Sequence, residues 1–256
     1  MKNRRIIALL MALAMLVCIT GCASNSEDAE QGDKTAKIVI PEEFSLTSLD
    51  QLDALHNEGL PGFSTLNDCM VEAIFGDEIL GVPNVIAFTH KHQDHYSAEL
   101  TAKAIKTWPS TKVILPEGVS DKQEICIGDI KLRFIKLSHA GKEYKDVEHY
   151  GVIIKGANQT ILVSGDCEIC DEKLLDETQN ERIGISIMNF PWVTLRKGRA
   201  AIESLIKPKH LIVAHLPFEE DDIYGYFPAT EKAIKNMDKA ADIRVFHRFL
   251  QKECFE

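Results

Sequence analysis

The sequence lacks a surplus of positive charge: 29 Lys and Arg stand against 39 Asp and Glu, a formal net charge of −10. A surface of that sign repels nucleic acid in bulk and argues against a nuclease. No Pro- or Gly-rich stretch divides the chain after residue 37, so a single domain with a substantial core is expected over 37–256. No repeat of short fixed period is present, which excludes solenoids and propellers. Long apolar runs are missing apart from Ile6 to Ile19.

That run has the form of an export signal. Lys2, Arg4 and Arg5 give a basic start, and Ile19-Thr20-Gly21-Cys22 resembles the lipobox of bacterial lipoproteins. The stretch is short for a spanning helix and is followed by small residues. Residues 1–21 are therefore expected to be a signal peptide that takes no part in the fold, with Cys22 as the site of lipid attachment. Residues 22–36 form a polar, acidic tether. The resemblance implies an extracytoplasmic protein held by lipid, palmitate included, at a bacterial membrane. An ordinary signal peptide or an uncleaved anchor are the alternatives. Cleavage before Cys22 removes three of the 29 basic residues and none of the acidic ones, so the formal charge moves from −10 to −13.

Besides Cys22, the exported part holds Cys69, Cys126, Cys167, Cys170 and Cys254. An odd number cannot pair completely within one chain. Cys167-Glu168-Ile169-Cys170 has the spacing of a redox motif but opens no thioredoxin-like unit; packing is the expected role, with a disulfide or a metal-proximal thiol as the alternative.

Short apolar runs read as strands at Lys37–Ile40, Val85–Phe88, Lys112–Leu115, Ile130–Leu137, Gly151–Lys155, Thr160–Val163, Ile183–Met188, His210–Ala214 and Ile243–Phe246. Gly156-Ala157-Asn158 signals a hairpin turn. Helices are expected at Thr47–His56, Ser97–Trp108, Arg199–Ile206 and Thr230–Ala240. In the second of these, Leu100, Ala104, Ile105 and Trp108 form an apolar face. Strands this apolar are buried on both sides, so the fold class is α/β, an αββα sandwich with two sheets face to face and helices outside.

The most informative segment follows the strand Val85–Phe88. Thr89-His90-Lys91-His92-Gln93-Asp94-His95 places three imidazoles and a carboxylate within six residues at a strand end. In a chain leaving a strand, side chains two apart project to the same side, so His90 and His92 can grip one ion. Asp94 and His95 point to a second ion nearby. Imidazole with carboxylate suits zinc, with iron or manganese as alternatives.

This block resembles the His-x-His-x-Asp-His signature of the metallo-β-lactamase-fold hydrolases. The resemblance covers about Pro83 to His215 and implies the same αββα fold. It assigns Asp166, at the end of Thr160-Ile161-Leu162-Val163-Ser164-Gly165-Asp166, as the carboxylate bridging two metals. It assigns His215, at the end of Leu211-Ile212-Val213-Ala214-His215, to the second ion. One further His is needed; His139 after the strand Ile130–Leu137 is favoured, and His149 competes. The implied sets are His90, His92 and His139 on the first ion, and Asp94, His95 and His215 on the second. In such a dinuclear zinc site a shared hydroxide attacks a carbonyl or phosphoryl centre, and Asp94 passes a proton to the departing atom. The N-terminal hairpin of the family is expected to be shortened or rebuilt over Lys37–Pro83.

A small ester, lactone, amide or phosphodiester is the expected substrate. A lipoprotein that binds metal or ligand without turnover is one alternative, and a di-iron redox enzyme is another. Arg196 and Lys197, before a helix, and Trp192 are candidate substrate contacts, with Phe218 and Tyr224 as further aromatics for a pocket mouth. Glu219-Glu220-Asp221-Asp222 reads as a solvated loop, and His56, His210 and His247 as structural.

Overall fold

The structure is a computed structural model. It describes residues 14–18 and 37–39 and, from 85 to 247, all but 94, 97, 129, 157–158, 218–221 and 238–240. The expected helix Thr47–His56, together with Cys22, Cys69, Asp94, Phe218 and Cys254, lies outside the described residues.

Two sheets form the centre. The smaller contains β1 (Ala14–Cys18), β2 (Lys37–Val39), β3 (Val85–Phe88) and β4 (Lys112–Ile114) in the order β2-β1-β3-β4. Helix α1 (Ala98–Thr107) links the parallel pair β3 and β4. The larger sheet contains β5 (Glu124–Ile127), β6 (Ile130–Leu137), β7 (His149–Gly156), β8 (Gln159–Val163), β9 (Ile185–Asn189), β10 (His210–Ala214) and β11 (Asp242–Val245). Its order is sequential, antiparallel from β5 to β8 and parallel from β8 to β11. The parallel half carries its helices between strands: α2 (Glu172–Thr178), α3 (Pro191–Thr194), α4 (Arg196–Ala201) and α5 (Tyr226–Ile234).

Strand alternation sorts the side chains into layers. Val85 and Ala87 of β3 meet Leu132, Phe134, Val152, Ile154, Val163, Ile187 and Ile212 of the larger sheet in a core between the sheets. Their neighbours Ile86 and Phe88 point the other way, to Ala104 of α1. The opposite set from the larger sheet, Ile135, Ile153, Leu162, Met188, Leu211 and Val213, packs against Leu174, Trp192, Val193 and Ile202. These are the four layers of an αββα sandwich. Each fully buried Leu, Ile or Phe in them is worth about 1.5–3 kcal/mol relative to exposure.

Ala14–Cys18, inside the expected signal peptide, pairs antiparallel with both β2 and β3. An uncharged apolar run with Val and Leu is as good a strand as it is an export segment. Strand β5 was not expected from the sequence: its half-exposed Glu-Ile-Cys-Ile alternation is that of a sheet edge. Helix α2 likewise has no expected counterpart; its start is fixed by the Asp171 carboxylate, which accepts from the backbone N–H groups of Lys173 (3.0 Å) and Leu174 (3.3 Å). Helix α5 begins at Tyr226 rather than Thr230, because Asp222 accepts from the N–H groups of Tyr226 (2.8 Å) and Phe227 (2.6 Å). Asp222 is thus an anchor, not merely part of a solvated loop. In α1, Ile105 is 49% exposed: it lies about 100° around the helix from Ala104 and so falls off the buried face.

Candidate metal centre

The strand ends converge on one edge of the sandwich. The Tyr150 N–H donates to the Thr89 carbonyl (2.9 Å), tying the exit of β3 to the start of β7. The Ala140 N–H donates to the Asp166 carbonyl (2.8 Å) and the Glu168 N–H to that of Ser138 (2.8 Å), which zips the segment after β6 to that after β8. The Phe190 N–H donates to the Ala214 carbonyl (2.9 Å), joining the exits of β9 and β10. His90, His139, Asp166, Asn189 and His215 are thereby presented from five different strand ends.

Asp166 lies at the centre. Its Oδ2 is 3.0 Å from His95 Nε2, 3.2 Å from His215 Nε2, 3.8 Å from His90 Nε2 and 4.0 Å from His139 Nε2. His95 Nε2 and His215 Nε2 are 3.2 Å apart. Two ligands about 2.0–2.1 Å from one ion at a tetrahedral angle stand roughly 3.3 Å apart, so this triangle has the edges of a metal site. Donor atoms of His90, His92 and His139 form a second group, all within 4.8 Å of one another. The structure therefore brings together six of the seven ligands expected from the sequence; Asp94 is the one outside the described residues.

The surroundings aim the imidazoles. Thr89 Oγ1 is 3.0 Å from His90 Nδ1, and His139 Nδ1 donates to the Ala140 carbonyl at 2.6 Å. The Ala140 carbonyl can only accept, which leaves His139 Nε2 as the lone-pair nitrogen, and both His90 Nε2 and His139 Nε2 are buried without a hydrogen-bond partner. Asn189 Nδ2 donates to Asp166 Oδ1 (3.5 Å), which leaves Oδ2 to the imidazoles. Thr89, Ala140 and Asn189 are outer-shell partners that the sequence could not name.

Protonation states match a metal's needs. Burial, reinforced by the neighbouring His95, pushes His90 well below the usual imidazole range. Burial would raise the Asp166 carboxyl, but the adjacent His215 and His95 hold it well below the usual carboxylate range. An ionised Asp166 carboxylate and a His90 imidazole kept neutral by burial are the states in which such groups bind a divalent transition metal. The buried Nε2 atoms and this donor set fit such an ion. His215 adopts φ +66, a left-handed conformation for a β-branch-free polar residue at a strand exit, and strain of this kind gathers at functional sites.

His149, the rival to His139, lies deeper. It is fully buried with both ring nitrogens unpartnered, and its ring centroid is 5.0 Å from that of His90 and 5.5 Å from that of His139. Only His139 belongs to a group of converging donor atoms.

The substrate contacts expected from sequence fare differently. Trp192 is fully buried in the helix-side core with Cys167 and Val193, so it is packing, not a pocket mouth. Lys197 is exposed and pairs with Glu168 (3.4 Å). Arg199 donates to the carbonyls of Val193 (2.6 Å) and Thr194 (2.9 Å), closing the end of α3, and Arg196 is exposed at the start of α4. Nothing here gathers the basic cluster around an anion. Tyr224 is 54% exposed beside Tyr226. Cys126, Cys167 and Cys170 are free thiols; burial pushes the Cys167 thiol far up, which makes it inert packing next to Asp166. His210 pairs with Asp242 (3.4 Å), and His247 stacks on Phe227 at 4.0 Å, both structural.

No family model matches the chain, and no curated protein matches it. Among solved structures it is similar to a metallo-β-lactamase fold protein from Bacillus subtilis, with a TM-score of 0.50 and 14% identity over 70% of this chain and 81% of that one. A putative metal-dependent hydrolase from Parabacteroides distasonis aligns at TM-score 0.46 and 18% identity, over 66% of this chain and 77% of that one. A diiron β-hydroxylase from Streptomyces venezuelae aligns at TM-score 0.45 and 12% identity, over 64% of this chain and 43% of that one. The first of these establishes the fold, which is the metallo-β-lactamase fold.

Proposed function

We propose that the chain is a metal-dependent hydrolase, dinuclear and zinc-loaded, acting on a small ester, lactone, amide or phosphodiester. The observation that carries this reading is the Asp166 carboxylate, with one oxygen within 4.0 Å of imidazole nitrogens from His90, His95, His139 and His215. A buried carboxylate shared by four imidazoles is poorly suited to packing and well suited to spanning two cations. The metallo-β-lactamase fold supports the same reading.

His90, His92 and His139 would hold one ion and His95, His215 and Asp94 the other, with Asp166 between them. Bound there, the ions supply Lewis acidity and ionise a water near neutral pH. The chain's own residues do the rest. The Thr89 hydroxyl holds the His90 ring, the Ala140 carbonyl fixes the His139 lone pair on Nε2, and Asn189 holds the Asp166 carboxylate in register. Asp94 carries the proton to the departing atom. Imidazole-rich donors favour zinc over the oxygen-loving cations. We place the protein outside the cytoplasm, attached to a bacterial membrane through lipid on Cys22.

Metal analysis of freshly purified protein, combined with a panel of chromogenic esters, lactones, amides and phosphodiesters, tests the proposal. About two transition-metal ions per chain are expected, with hydrolysis of at least one class lost on chelation and restored by zinc. Protein that binds no transition metal when loaded would end this reading.

A further inference from the structure

The turn after His139 carries an aromatic ring that the metal reading does not use. Gly141 has φ +91, a conformation that residues with a β-carbon rarely adopt, and a β-carbon there would stand 3.0 Å from Tyr144 Cδ2. The Tyr144 N–H donates to the Gly141 carbonyl (3.1 Å), and the Val147 N–H to that of Tyr144 (2.9 Å). The bare α-carbon thus lets the 3-10 turn Lys142–Tyr144 fold its last ring back towards the site.

That ring meets two of the three imidazoles of the first group. Tyr144 lies 4.8 Å from His92 and 5.0 Å from His139, centroid to centroid, with interplanar angles of 65° and 60°. His92 and His139 are themselves edge-to-face at 4.6 Å, and His90 meets each at 4.8 Å. Edge-to-face packing fixes the plane of a ring as well as its position. An imidazole lone pair lies in its ring plane, so the tilt of His92 and His139 decides whether their nitrogens point at a common centre. His90 is already aimed from behind by Thr89, and His139 by the Ala140 carbonyl. His92 is the more exposed of the three, and the rings of His90, His139 and Tyr144 all pack against it.

We infer that Tyr144 is a positioning residue for His92 and His139, setting the affinity for the ion they would hold with His90 more than the affinity for the ion at His95, His215 and Asp166. The inference rests on the metal reading proposed above. It adds a residue that is not a donor and an asymmetry between the two halves.

The test is stepwise titration of metal-free protein with zinc against a chromophoric chelator, repeated with cobalt to read the visible ligand-field bands. Tyr144→Ala should weaken one of the two binding steps by roughly 10–100-fold, the range for removing an outer-shell partner, and leave the other step in place. Tyr144→Phe keeps the ring and should restore wild-type affinity and cobalt bands. Gly141→Ala, which pushes against the ring, should weaken the same step as Tyr144→Ala. Tyr144→Leu replaces Tyr144→Ala should the latter not fold, as judged by circular dichroism. Equal weakening of both steps, no weakening of either, or failure of Phe to rescue would overturn the role of Tyr144. Wild-type protein that binds no ion would instead remove the metal reading on which it stands.

Discussion

A β-carbon at Gly165 would stand 2.6 Å from His149 Nε2 and 3.0 Å from Thr89 Cβ. The residue before the central carboxylate is therefore bare because two neighbours of the site occupy the space beside it. Gly165 also has φ +56, where a side chain is strained even with room to spare. Gly165→Ala should cost about 1–3 kcal/mol in stability from backbone strain, before any displacement of His149 and Thr89 is counted. Urea denaturation of the metal-free protein measures it, and an unchanged midpoint would show that the close approach of Gly165 and His149 is not what the fold depends on.

Thr89 is the cleaner probe of how His90 is aimed. Thr89→Val keeps the shape and removes only the hydroxyl 3.0 Å from His90 Nδ1. Zinc affinity should fall by about 10–100-fold, as expected for loss of an outer-shell partner. Competition with a chelator reads this directly; affinity within error of wild type would mean that the ring is held by packing alone.

His139 and His149 compete for one role, and geometry separates them. His139 joins His90 and His92 in a converging donor group, whereas His149 lies beneath the rings. His139→Ala should lose one ion and nearly all activity, while His149→Ala should retain both ions and show milder effects. Metal content by mass spectrometry decides between them, and the reverse order would reassign the ligand.

Burial holds the His149 imidazole down from 6.5 to about 3, and His90 is lowered in the same direction. Below pH 6.5 the unfolded chain therefore binds protons that the folded chain refuses, so stability falls as pH drops. The Asp166 carboxyl, lowered by His215 and His95 against its burial, adds a loss of the same sign once pH falls below 3.8. Metal-free protein should lose stability from about pH 6.5 downwards, at up to roughly 1.4 kcal/mol per pH unit for each such histidine. His149→Phe should flatten that slope. Denaturation midpoints measured from pH 7 to pH 4 check the sign, and a stability that rises on acidification would refute the buried neutral imidazole.

How much of this was legible in the sequence follows from where each interaction is encoded. His90, His139, Asp166 and His215 stand at the exits of apolar runs, and a strand exit is where the chain must deliver side chains to a sheet edge; local pattern marks that edge, and the family resemblance singled out His139, Asp166 and His215 on it. The layers were legible for the same reason: Val85 and Ile86 differ in face because strands alternate. What failed was decided by contacts far apart in sequence. Trp192 looks like a pocket residue beside a basic cluster, yet its neighbours across the helix-side core bury it completely. Tyr144 sits in a charged turn with no periodic signal, and only folding brings it against His92, 52 residues earlier in the chain. Asp171 and Asp222 each act through a pair of backbone N–H groups, which set helix starts that apolar periodicity cannot locate.

The N-terminal segment poses the sharpest remaining question, because two readings make incompatible demands on it. Lipoprotein processing before Cys22 would remove Ala14–Cys18, which pairs with Lys37–Val39 of β2 and Val85–Phe88 of β3 in the smaller sheet. Without it, β3 keeps its parallel partner β4 but presents a free edge, and the metal ligands beyond Phe88 keep their connection to β7 through Thr89 and Tyr150. If the lipoprotein reading holds, protein comprising residues 22–256 should fold, bind both ions and retain activity, since every proposed ligand lies at or beyond His90. Cys22→Ala should move the protein from the membrane to the soluble fraction with its chemistry intact. Retention in the membrane would identify Ile6 to Ile19 as an uncleaved anchor. A 22–256 chain that aggregates or loses metal, beside a full-length chain that does neither, would show that Ala14–Cys18 belongs to the working fold and that Cys22 is not where the mature protein begins.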